Sequence, residues 1–120
     1  MSARDPAKAV LVLDLVEAFF AGGTHWLQGD WRDDDGNRCL VNALDYVRRK
    51  HRITGDGASY YLRRAMPHPG GLPSYNDHCQ RFVELRALIE LARRLAIAES
   101  RGDPKPWRSY NMADRPVPQE

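Results

Sequence analysis

Lys8 to Ala21 is apolar except at Lys8, Asp14 and Glu17, and the two acids lie three residues apart, on one side of a helical wheel. Gly22-Gly23 follow as a stop. The pattern predicts a largely buried helix. A short buried strand over Val10–Leu13 is the alternative, because a brief apolar run carries no period that separates the two. From Thr24 to Arg38 the period disappears, and Trp26, Trp31, four aspartates and Gly36 predict a loop with room for a short hairpin. A second helix is predicted from Arg38 to about Lys50, capped by Asn37 or Asp35. Cys39, Leu40, Ala43, Leu44, Tyr46 and Val47 share its broad apolar face, and Arg48, Arg49 and Lys50 fall in the last turn, where cations suit the helix dipole.

The Thr54–Gly57 turn leads into a third helix, Ala58 to Met66, stopped by Pro67, and Pro67–Pro73 reads as a loop. Asn76 or Asp77 is predicted to cap the longest helix, which runs to about Ser100. Phe82, Leu85, Leu88, Ile89, Ala92, Leu95 and Ala96 form its apolar sector, while Arg86/Glu90 and Glu90/Arg94 are pairs four apart on the other side. From Asp103 onward Pro104, Pro106, Pro116 and Pro118 forbid regular structure. The expected fold is mainly α: a single-domain bundle of about four helices over residues 1–101, with an aromatic and acidic loop, and a proline-rich tail over 102–120. The stripe Cys39, Ala43, Val47 is expected to lie against Leu85, Leu88, Ile89 and Ala92 of the longest helix, because small residues permit close approach.

Composition adds bounds. A chain of 120 residues supports one core, and 42% apolar with 28% charged residues is ordinary for a globular domain. Its longest uninterrupted apolar run, Ala9–Leu13, is far below the roughly 20 residues of a membrane span. The first residues show no basic segment leading into an apolar core, and Cys39 and Cys79 are too few for a disulfide framework; the expected location is cytoplasmic. The net charge of +2 conceals an asymmetry: residues 1–47 hold four Lys/Arg against eight Asp/Glu, and residues 48–101 hold eleven against five.

Several groups carry candidate chemistry. Cys39 at a helix start is where amides stabilise a thiolate, and a cysteine hydrolase or acyltransferase would add His68 or His78 as base and Asn76 or Asp77 to orient it. The competing reading is a core cysteine. Asp30, Asp33, Asp34 and Asp35 miss the spacing of a calcium loop, and the histidines and cysteines miss that of a zinc site, so neither a metal nor a cofactor is expected. Arg48, Arg49, Lys50, Arg52, Arg63 and Arg64, with Tyr60 and Tyr61 among them, could form a weak nucleic-acid face. Trp26 and Trp31 in the loop and Trp107, Tyr110 and Met112 in the tail are candidate anchors for a protein partner or a second copy.

Trp26-Leu27-Gln28, Asp35-Gly36, Cys39, Ala43-Leu44, Leu62, Asn76-Asp77 and the helix from Leu85 to Ala92 together resemble a bacterial family, domain-of-unknown-function family 6197. The resemblance spans roughly residues 8–98, pairing a Trp-x-Gln segment with a Cys-led helix and a later Asn-Asp. Asn42 stands where that family usually places glycine, and Leu40 where it places a small residue. The resemblance implies a helical layout and a bacterial origin, with no activity attached. A non-enzymatic interaction or accessory module is the leading expectation; a Cys39-dependent hydrolase or acyltransferase and a weak nucleic-acid binder are the alternatives.

Overall fold

The computed structural model describes residues 5–67 and 70–102. Five α-helices are found among them: α1 (Pro6–Phe20), α2 (Leu40–His51), α3 (Gly57–Ala65), α4 (Leu72–His78) and α5 (Phe82–Ser100). The tail beyond Gly102, with Trp107, Tyr110 and Met112, lies outside the described residues, as does His68.

The first apolar segment is a helix. Asp5 caps it, accepting from the amides of Ala7 at 3.0 Å and Lys8 at 3.3 Å, and Pro6 sits where its missing N–H costs nothing. Ala21 turns left-handed at φ 49°, and Gly22 and Gly23 carry the chain out at φ 72° and 105°. Gly23 is required twice over: its φ is one side chains avoid, and a Cβ there would meet the Phe82 side chain at 3.0 Å.

α1 packs against α2, α3 and α5, and α3 also lies on α5. The shared core holds Leu13, Val16, Phe20, Leu62, Leu88 and Leu95 among its fully buried side chains. Tyr61 is buried there too, its hydroxyl donating to the Glu99 carboxylate. Arg93 of α5 pairs with Asp14 of α1 at 2.8 Å on the outer surface, and Arg94 with Glu90 at 3.2 Å.

Three expectations are corrected, the first being that Asn37 or Asp35 caps a second helix from Arg38: Cys39 is its N-cap and Leu40 its first residue. The longest helix does not begin at Asn76-Asp77, because these residues occupy the last turn of the separate helix α4. Arg81 begins α5 instead, and Glu84 supplies the return half of a capping box, its carboxylate accepting from the amides of Gln80 at 3.1 Å and Arg81 at 3.2 Å. Pro73 sits in the first turn of α4 rather than ending a loop, since proline fits the first turn of a helix. The third correction concerns α2, whose main helix contacts are with α1 and α4, while α5 packs mainly on α1 and α3. Cys39 lies outside the core cluster that holds Leu85, Leu88, Ile89 and Ala92.

Candidate functional site

The loop between α1 and α2 has little regular structure, yet it is held closely. Its backbone is tied to the residues before α2 by Leu27 N–H to Arg38 C=O, Arg38 N–H to His25 C=O and Cys39 N–H to Trp31 C=O, each at 3.0 Å. Asp33 gathers the acidic turn, accepting from the Asn37 amide and the Asn37 side chain at 2.9 Å and from the Asp35 amide at 3.0 Å. The Asn37 side chain and the amides of Asn37 and Asp35 hold the Asp33 carboxyl below its ordinary range. Asp33 thus ties the acidic turn together through the amides of Asp35 and Asn37 and the Asn37 side chain. Among the described residues there is no group of three His, Cys, Asp or Glu side chains placed to hold a metal.

Asn76 is the centre of this region and is 0% exposed. Its Oδ1 accepts from the Trp26 indole at 2.7 Å and from the Leu40 amide at 3.0 Å, while Nδ2 donates to Leu27 C=O and to Asp77 Oδ1, both at 3.0 Å. Both donor hydrogens are used, and two bonds fall on the acceptor, so the buried amide is fully satisfied. The bond to Leu40 N–H makes Asn76 a cap for α2 supplied from another helix. Gln28 performs the converse service for α4. Its side-chain N–H groups reach the carbonyls of Cys79 at 2.6 Å and Asn76 at 2.9 Å, which the end of a short helix leaves open. Asp77 Oδ1 receives the Gly29 amide at 2.9 Å, and this bond and the Asn76 side chain keep its carboxyl below the usual range. Trp26, Gln28, Asn76 and Asp77 are therefore one interlocked clasp.

Trp26 and Trp31 separate in role. Trp26 is half-buried against Phe82, ring centroids 5.6 Å apart, with its N–H committed to Asn76. Trp31 is 54% exposed although its backbone is fixed at both sides, by Asp30 Oδ1 at 2.7 Å and by the Cys39 amide. Beside it opens a cleft of about 230 Å³ lined by Gly29, Asp30, Trp31, Cys39, Pro73 and Asp77.

Cys39 is 3% exposed and is the N-cap of α2, its Sγ receiving the Asn42 amide at 3.5 Å. The cleft brings it to Asp77, as the hydrolase reading requires, but none of the described lining residues is a histidine. His78 lies on another cleft, of about 460 Å³, with Ser74, Cys79 and Glu84. There its Nδ1 is 2.8 Å from the Ser74 carbonyl, so that nitrogen carries the hydrogen and is not free to take one from the Ser74 hydroxyl at 3.4 Å. Burial, and secondarily the Glu84 carboxylate, push the Cys79 thiol up to about 12 and away from thiolate chemistry.

Several of the basic residues have local partners. Arg48 and Arg49 both pair with Asp45, at 3.5 and 3.0 Å, and Arg48 also donates to Gly55 C=O. Lys50 stands 5.7 Å from the Tyr46 ring, and Arg52 turns left-handed at φ 55° to end α2. Arg63 and Arg64 close α3 at the end opposite the turn that joins it to α2, with Arg64 over Tyr60.

Sequence reasoning missed the role of Gln28, and it took Asn76 for a cap of the long helix that follows it. The available signal was an amide set among Leu72, Tyr75 and Cys79 in one short segment, where a polar side chain needs partners from elsewhere. No described helix is long and apolar enough to cross a membrane. No curated protein and no solved structure matches the chain. The family of unknown function DUF6197 matches residues 12–95, a span that contains the whole clasp and cleft, and the chain belongs to that family.

Proposed function

We propose that this protein is a non-enzymatic interaction module that receives a protein partner at the Trp31 cleft. The observation that carries the reading is an aromatic side chain 54% exposed on a backbone that is already fixed. An indole held ready in this way offers large contact area at small cost in ordering, which is why tryptophan is enriched among binding hot spots. The clasp supports the reading because it spends its polar groups on holding the loop that presents Trp31. Trp26 acts behind that surface, as a strut. Trp107, Tyr110 and Met112 remain proposed contributors from the tail.

Photo-crosslinking in the native host tests this. A crosslinker at position 31 should yield a discrete protein adduct that is absent with the crosslinker at Leu11, an exposed apolar residue on α1. Absence of an adduct at 31, or the same adducts from both positions, would remove the reading. Deleting residues 103–120 should weaken the same adduct without moving the thermal midpoint if the tail contributes.

A further inference from the structure

Resting on the reading that the Trp31 cleft docks a partner, we propose that its occupant is a basic peptide segment, one Lys or Arg side chain of which lies along Trp31 with its charge between Asp30 and Asp77. The cleft's size, its aromatic wall and its charge agree on this. At about 230 Å³ it is smaller than the roughly 300–1,000 Å³ of small-molecule pockets and suits a single long side chain. A cation over an indole face is attracted by the ring, and Trp is the best aromatic for it. Asp30 and Asp77 are exposed, and each uses one oxygen for a backbone amide: Trp31 N–H for Asp30, Gly29 N–H for Asp77. The second oxygen of each has no partner among the described residues. Asp77 is charged at neutral pH, since the Gly29 amide and the Asn76 side chain hold its carboxyl low.

The start of α2 also reaches this cleft, and a helix N-terminus alone would favour an anion. Here the Leu40 amide is given to Asn76 and the Asn42 amide to Cys39 Sγ, while Asp30 and Asp77 both line the cleft. An acidic ligand would meet repulsion. Arg38, which precedes α2, is drawn off onto the Tyr46 ring at 4.1 Å and onto Asn42.

The test is NMR titration of the full chain with a Gly-Arg repeat peptide, a Gly-Glu repeat peptide and free arginine amide. The Gly-Arg peptide is expected to shift the Trp31 indole and Gly29 amide signals, with the Gly-Glu peptide leaving them in place. Asp30→Asn combined with Asp77→Asn keeps both acceptor oxygens for the backbone and removes both charges; it should weaken binding about fivefold or more. Trp31→Ala should weaken it to a similar degree, about fivefold, and Trp31→Phe less. Unchanged thermal midpoints separate these losses from unfolding. Equal binding of the acidic peptide, equal binding of arginine amide at the same concentration, or indifference to the paired Asn substitutions would overturn the proposal. Failure of the titration with a retained crosslink at position 31 removes the basic occupant alone. A lost crosslink with retained peptide binding removes partner docking in the host alone.

Discussion

Two regions of this molecule are held together by different physics. Around α1, α3 and α5 the contacts are aliphatic and aromatic, with Leu13, Val16, Leu62, Leu88 and Leu95 out of water. Around α4, the start of α2 and the loop between α1 and α2, side-chain amides and carboxylates bond to groups far away in sequence, while Leu40, Ala43, Leu44 and Val47 of α2 belong to the apolar core. Apolar packing is additive and undirected, so losing one side chain removes a share of it. A buried polar hub is directional, and losing it leaves each of its partners unsatisfied in a medium that supplies no substitute. The second region places Trp31 and the cleft.

The largest expected effect follows from that contrast. Asn76→Ala strands the Trp26 indole, the Leu40 amide and the Leu27 carbonyl together, and should destabilise by about 3–5 kcal/mol, since each stranded buried group costs about 1–3 and some will find water. Leu88→Ala in the apolar half should cost a comparable amount, about 2–5 kcal/mol. Urea unfolding of both variants checks this, and the comparison breaks if Asn76→Ala behaves as an ordinary surface substitution within about 0.5 kcal/mol.

Gln28→Ala should act more locally. The carbonyls it serves sit at the end of α4, where water can replace it, so a cost of about 1–2 kcal/mol is expected. Hydrogen exchange should show faster opening of α4 and the 24–38 loop with amides of α1 and α5 still protected. Uniform loss of protection would mean that the two regions unfold as one.

Cys79 offers a test from the apolar side of α4. Its thiol is raised in the folded state from 9.0 to about 12, so the folded protein holds that proton more tightly than the unfolded chain. The contribution is fully present below about pH 9 and is lost as pH rises toward about 12, where both states are ionised. Stability of the parent should therefore fall more steeply over that window than stability of Cys79→Ala. Parallel slopes would show that the thiol is not desolvated.

Cys39→Ser should have the smallest effect, within about 1 kcal/mol, because the hydroxyl inherits an N-cap position that serine favours and finds the Asn42 amide waiting. A cysteine packed on α5, as the helical wheel suggested, would have lost more on that change. Chemical denaturation decides, and a loss above about 2 kcal/mol would restore the packed-core reading.

How legible each part was depended on the range of its cause. The apolar wheel of α5 and its end before Gly102 were readable, as was the position of α3 before Pro67, while the first apolar segment allowed helix or strand and only the structure makes it α1. Asn76-Asp77 misled because Asn and Asp are the residues that cap helices, and a capping residue looks the same in sequence whichever helix it serves. Here Asn76 caps α2, 36 residues earlier, rather than the helix that follows it. Trp26 and Trp31 could not be told apart at all: five residues separate two identical side chains, and only the presence of Asn76 and Phe82 beside one of them makes it a strut.

The sequence by itself determined that this is a helical chain with stops at Gly22-Gly23, Pro67 and Gly102, because apolar period, caps and breakers act within a turn or two of the backbone. Tertiary structure alone decided that Asn76 joins Trp26 to the start of α2 and that Gln28 closes α4. It also decided that Trp31 is left standing over Asp30, Cys39 and Asp77. The physical reason is that a hydrogen bond between groups 50 positions apart imposes no local pattern on either segment, and exists only once the helices have brought the two together.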